Sequence, residues 1–192
     1  MRHVDLLASR GEVLHRLFFA LWPDDALREG IAETAAQLER EHAPGGQRLR
    51  PERYHLTLQF LGDFQLPRPS VVDTARAAAA SVRLPAFELV LDHAGSFSGS
   101  RVWWLGTHSI PPGLQFLWDA LGAALAEAGV QVKSTQAFAP HLTIRRDVRR
   151  QTAPIAIRQL PWTVREFVLI DSVPAARAHY CILGRWPLMP AT

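Results

Sequence analysis

Two copies of one short pattern constrain this chain more than any other feature. His55-Leu56-Thr57-Leu58 lies in its first third and His141-Leu142-Thr143-Ile144 in its last. Each is an apolar stretch with polar side chains at i and i+2. A helix would turn those two residues about 200° apart, whereas a β-strand sets them on one face and leaves the apolar neighbours for the other. With 8 His in 192 residues of this composition, only about 0.09 such matches are expected by chance. A single copy would read as a core histidine beside an ordinary strand threonine. Two copies imply two equivalent strands facing each other across a cleft, each presenting an imidazole and a hydroxyl.

Length and composition allow one domain or two small, intimate lobes, because a 48% hydrophobic share is enough for a real core. The apolar run Leu17 to Trp22 is too short to span a bilayer and meets Pro23, Asp24 and Asp25 at once. With no signal-peptide pattern either, the expectation is a cytoplasmic protein without a membrane segment. The lone Cys181 excludes an internal disulfide and a cysteine-cluster metal site. Arginine supplies all but one of the 21 basic residues. Its planar fork suits phosphate, although so uneven a ratio is also what base composition of a genome produces. The one lysine, Lys133 in Val132-Lys133-Ser134-Thr135, lacks the acidic and glycine neighbours of a nucleotidyl-ligase nucleophile.

The apolar periods predict a first strand over Leu14 to Leu21 and a helix capped by Asp24, with Leu27, Ile31, Ala35 and Leu38 inward. A motif strand follows from Tyr54 to Leu61, closed by a Gly62-Asp63 turn. Further elements are a helix from Pro69 to Val82, strands at Phe87 to Asp92 and Arg101 to Thr107, and a helix from Leu114 to Ala128 stopped by Gly129. The second motif strand spans about Ala137 to Ile144, and strands at Val164 to Ile170 and His179 to Trp186 complete the chain. This order has no strict βαβ alternation and predicts α+β with antiparallel sheets. The paired motifs add a pseudo-twofold, duplicated plan. Residues 1–15 show no period and are expected to be an N-terminal extension, with 16–192 forming a single two-lobed domain.

Two imidazoles across a cleft suit acid-base catalysis, since a histidine titrates near neutrality and can serve as either partner. Hydroxyls and an arginine beside them can stabilise an oxyanion. These parts fit in-line displacement at phosphorus. No P-loop, dinucleotide fingerprint, serine elbow or H-E-x-x-H helix competes. Neither motif histidine neighbours a carboxylate or a third histidine, so metal ligation is not expected. His93, His108 and His179 have no repeated partner and are read as incidental.

The motifs, together with Arg16-Leu17-Phe18-Phe19-Ala20-Leu21, Gln59-Phe60-Leu61-Gly62, Ser100-Arg101-Val102-Trp103-Trp104-Leu105-Gly106 and Pro140, resemble the LigT-like two-histidine (2H) phosphoesterases over about Arg16 to Trp186. The branch they resemble is the bacterial RNA 2′,3′-cyclic phosphodiesterases, also called 2′-5′ RNA ligases. That resemblance implies a bilobal fold, with two antiparallel sheets facing a central cleft and helices outside, and no metal or cofactor. It implies hydrolysis of RNA 2′,3′-cyclic phosphate ends to 2′-phosphates, with 2′-5′ joining as the reverse direction. It puts catalysis on His55 and His141, and substrate or phosphate binding on Thr57, Thr143, Arg146 and the cleft aromatic Phe19. Strand parity alone selects Arg145 instead of Arg146; the family position requires the strand to end or bulge. Expected partners are RNA ends or small cyclic nucleotides, with no membrane, and the protein is expected to be a monomer. Two competing readings are a 2H enzyme for a small cyclic nucleotide or ADP-ribose cyclic phosphate, and a non-catalytic RNA-binding protein.

Overall fold

The computed structural model describes residues 14–65, 68–97, 99–132, 138–173 and 179–190. Strand β1 (His15–Leu21) leads into helix α1 (Asp25–His42), the short β2 (Gln47–Arg48), a 3₁₀ turn (Pro51–Arg53) and β3 (Leu56–Phe64). Helix α2 (Pro69–Ser81), β4 (Phe87–Ser96), β5 (Val102–Gly106) and α3 (Pro112–Glu127) follow. The chain ends with β6 (His141–Arg146), β7 (Ile155–Val164), β8 (Glu166–Val173) and β9 (His179–Pro187). No helix among the described residues is long and apolar enough to cross a membrane.

Local chemistry explains the helix ends. Asp24 Oδ1 accepts the Leu27 amide at 2.8 Å, and Ala43 ends α1 in the left-handed region at φ 45°. On α3, Leu114, Leu117, Leu121 and Leu125 are all fully buried. Each contributes about 1.5–3 kcal/mol by leaving water.

The expected pair of sheets is one continuous sheet, ordered β7-β4-β5-β6-β3-β1-β8-β9, with β2 added beside β6. Two four-strand halves meet where β6 lies against β3, and that seam has a single paired position, Leu56 opposite Leu142. The pseudo-twofold plan survives in β1-α1-β3 and β5-α3-β6, which enter the sheet as matching units on either side of the seam. Leu17, Phe19, Leu21, Leu56, Leu89, Leu91, Leu105 and Leu142 join the helix residues in one core on one face. A smaller cluster of Phe18, Ala20, Val168 and Ile170 packs on the other.

Two expectations need correction. The Gly62-Asp63 turn is instead strand: β3 continues to Phe64, with Gly62 at φ 141° where the β1 ladder skips Leu61. β7 was not anticipated as a strand. It is an edge strand whose apolar alternation comes in two short runs, Ile155 and Ile157, then Leu160, Trp162 and Val164, put out of step by Arg158 and Gln159 and interrupted by Pro161. Of the expected extension, residues 1–13 lie outside the described residues. His15 is already in β1, where its Nδ1 meets Asp171 Oδ2 at 2.7 Å.

Candidate active site

The Leu56–Leu142 pair organises the site. Both leucines are fully buried on the core face, so their neighbours His55, Thr57, His141 and Thr143 are turned to the opposite face. The antiparallel register about that pair runs His55 towards Thr143 and Thr57 towards His141. Each imidazole is held the same way: His55 Nδ1 lies 2.8 Å from the Arg53 carbonyl, and His141 Nδ1 lies 2.8 Å from the Ala139 carbonyl. A carbonyl only accepts, so both Nδ1 atoms carry the proton and donate. The free nitrogen of each ring is therefore Nε2, which can take a proton when neutral and give one when charged.

A bulge decides which arginine joins them. Trp103 pairs with Arg145 but Trp104 pairs with Thr143, which leaves Ile144 as an extra residue in β6. The alternation resets there. Ile144 and Arg145 are both buried, and Arg146 returns to the face of the histidines. Arg145 donates through Nη1 to the Gly45 and Gly46 carbonyls at 2.7 and 3.0 Å and forms an ion pair with Glu39. Arg146 instead lines a cavity of about 480 Å³ with His55, Thr57 and His141. Thr143 shares their face of the strand pair but lies outside that lining, opposite Trp104.

The electrostatics of the two imidazoles differ in degree. Burial pushes the His55 imidazole down to about 4, and Arg146, His141 and Arg53 act in the same direction against the Arg53 carbonyl. His141 is lowered by burial and by Arg146, against the Ala139 carbonyl. The surroundings explain the contrast. His55 sits among Phe18, Tyr180 and Trp22, at centroid separations of 4.9, 5.4 and 6.5 Å, whereas His141 has Phe97 edge-on at 4.8 Å. Among the described residues, no three His, Cys, Asp or Glu side chains converge to hold a metal ion.

A site of mirrored imidazoles and a guanidinium in one cavity can move two protons about a phosphorus centre. The sequence model of the 2′-5′ RNA ligase superfamily matches residues 23–174. The chain belongs to that superfamily. Within the superfamily it is 34% identical over 177 residues to the RNA 2′,3′-cyclic phosphodiesterase of Escherichia coli K12, spanning 90% of this chain and 96% of that protein. A Geobacillus stearothermophilus protein of the same name is 31% identical over 73% of this chain and 47% of its own length. The crystal structure of E. coli LigT complexed with 3′-AMP superposes with a TM-score of 0.76 at 32% identity, covering 91% of this chain and 98% of that one.

Against this superfamily background, one expected site residue is misplaced. Phe19 is not at the cleft: it is fully buried in the main core, 5.6 Å from Trp186 and 6.1 Å from Phe167 between ring centroids. Its neighbour Phe18 faces the cavity instead. Both faces of β1 are apolar, Leu17, Phe19 and Leu21 on one and Phe18, Ala20 and Trp22 on the other, so alternation could not say which was core. Sequence reading also missed Arg53, Phe60 and Tyr180, which line the cavity. Phe60 had a usable signal, since it stands five residues after His55 as Arg146 stands five after His141. Tyr180 had none, because it arrives from β9, far along the chain. His93 and His108 stack on each other at 5.0 Å, and neither lines the cavity.

Proposed function

We propose that this protein is an RNA 2′,3′-cyclic phosphodiesterase that opens the cyclic phosphate with two histidines as acid and base. The observation that carries the reading is the mirrored pair of Nδ1 to carbonyl bonds, which leaves two Nε2 atoms in one cavity with Arg146. His55, whose charged form is the more strongly disfavoured, is the base. Its Nε2 takes a proton from water as the water oxygen bonds to phosphorus. The bond from phosphorus to the 3′ oxygen breaks, and His141 Nε2 gives that oxygen a proton, leaving a 2′-phosphate and a free 3′-hydroxyl. Arg146 and the Thr57 hydroxyl stabilise the charge on the non-bridging oxygens, with Thr143 holding the matching position across the seam.

The relatives named RNA 2′,3′-cyclic phosphodiesterase support the reaction class. A binding protein would need the arginines and aromatics but not two tautomer-fixed imidazoles. The proposal includes a cytoplasmic monomer working on RNA ends, with small cyclic nucleotides as the alternative substrate class. The test is incubation with an RNA ending in a 2′,3′-cyclic phosphate and with a cyclic mononucleotide, each in EDTA. Formation of a 2′-phosphate, assigned by NMR and resistant to a 3′-specific phosphatase, is expected. No turnover of either substrate, or a 3′-phosphate product, overturns the reading.

A further inference from the structure

Three arginines and one aspartate line the cavity: Arg16, Arg53, Arg146 and Asp63. Arg16 is neutralised locally, because its Nε and Nη2 donate to the two carboxylate oxygens of Asp63 at 2.8 and 3.3 Å. Neither Arg53 nor Arg146 has a carboxylate partner among the described residues. The cavity therefore presents two uncompensated positive charges. A 2′,3′-cyclic phosphate is a diester with one negative charge, and Arg146 beside the two histidines suffices to match it. One cation is left over.

That cation is held in place without being neutralised. The Arg53 guanidinium lies over the Tyr180 ring at 5.1 Å, with Nη2 donating weakly to the Tyr180 hydroxyl at 3.4 Å and Nε buried with no acceptor. Stacking on an aromatic face orders the fork and keeps its charge. The backbone of Arg53 is also fixed, because its carbonyl holds the His55 ring. The side chain thus leaves the end of the 3₁₀ turn two residues before the proposed base, on the half of the cavity that carries Phe18, Phe60 and Tyr180.

We propose that Arg53, ordered by Tyr180, is a second phosphate site that takes the 5′-phosphate of the terminal nucleotide while its cyclic phosphate lies between the histidines. The inference rests on the phosphodiesterase reading above and names which substrates that site prefers. A 5′-phosphate on that nucleotide has two sources: the phosphodiester that continues an RNA strand, and the monoester of a free 5′-nucleotide. Both present anionic oxygens one ribose away from the cyclic group, and a nucleoside cyclic phosphate presents none there.

The test compares three substrates, adenosine 2′,3′-cyclic phosphate, its 5′-phosphorylated form and the dinucleotide ApA ending in the cyclic phosphate. Wild type, Arg53→Gln and Arg53→Lys are assayed on each. Wild type is expected to favour the two 5′-phosphate substrates by about tenfold in kcat/KM, mainly through KM, as a charge-assisted contact allows. Arg53→Gln, which keeps a planar group near Tyr180 but no charge, should lose that preference, and Arg53→Lys should recover most of it. A preference confined to the dinucleotide assigns the site to RNA strands; one shared by both assigns it to any 5′-phosphate. Binding of adenosine 3′,5′-bisphosphate against adenosine 3′-monophosphate, measured by calorimetry, makes the same comparison without turnover. Absence of turnover on every substrate counts against the phosphodiesterase reading, and the binding arm then decides Arg53 alone. A Gln variant that retains the wild-type preference in rate and in binding overturns the proposal.

Discussion

Position by position, the two motif strands agree up to the fourth residue after the histidine and part at the fifth. Two residues before, a carbonyl fixes Nδ1 in both. One residue after, a leucine is buried at the seam in both. At the third residue each strand carries an extra residue, Leu58 in β3 and Ile144 in β6, so the bulge itself is duplicated. The fourth residue is a buried polar side chain that ties its strand to the helical layer of the other unit. Gln59 donates to the Trp118 carbonyl in α3 at 2.9 Å, and Arg145 bonds the turn that follows α1. At the fifth, one half presents Phe60 and the other Arg146. The shared positions build and orient the two imidazoles, while the divergent one gives the two sides of the cavity different surroundings.

The sharpest break of the symmetry is to remove one histidine at a time. His55→Ala and His141→Ala should each lower kcat/KM by about 10²- to 10⁴-fold, and both proteins should fold. A His55 variant with nearly full activity would end the two-histidine scheme. The pH profile separates the roles. In the free enzyme, His55 is neutral above about pH 4 and His141 loses its proton below the ordinary histidine range, so kcat/KM should peak on the acid side of pH 6.5. Bound phosphate favours both imidazolium forms and should move the kcat bell to higher pH. A profile flat from pH 5 to 9 with chemistry limiting would contradict this.

Next in size is the divergent position. Arg146→Ala should cost about 1.5–3 kcal/mol of transition-state stabilisation, and Phe60→Ala less, because a ring supplies no charge to the phosphate. Arg145→Ala should act on stability rather than chemistry, lowering unfolding free energy by about 1–3 kcal/mol through the carbonyls it leaves unpaired. If Arg145→Ala impairs turnover more than Arg146→Ala, the bulge does not sort the arginines as described. Gln59→Ala, its counterpart, should cost about 1 kcal/mol in urea unfolding with little change in kcat. The smallest effect expected is that of EDTA, which should leave the rate unchanged; loss restored by a divalent metal would refute a purely organic site.

Much of this was legible in the chain. The His-x-Thr pairs announced their strands because each combines one polar and one buried face, and α1 and α3 announced themselves through single leucine-rich stripes. Arg145 against Arg146 was not decidable by period, because a bulge is a property of the ladder with β5 and leaves no mark on β6 alone. Phe18 against Phe19 failed for a different reason, since a small aromatic cluster covers the second face of β1 and makes both parities apolar. Arg53 and Tyr180 meet over 127 residues of separation, a contact that local pattern cannot reveal.

The single Leu56–Leu142 pairing at the seam gives the sheet a narrow waist. Elsewhere neighbouring strands are stapled along their length, so their separation is set by backbone geometry. At the waist the β3–β6 ladder is one position long, β2 and the Leu49 amide hold only the far end of β6, and Gln59, Arg145 and the helices behind them share in setting the spacing between the imidazoles. The gap between the imidazoles is thus linked to the far side of the molecule. Substitutions on the hidden faces of α1 or α3 are therefore expected to shift that gap without altering any residue that lines the cavity.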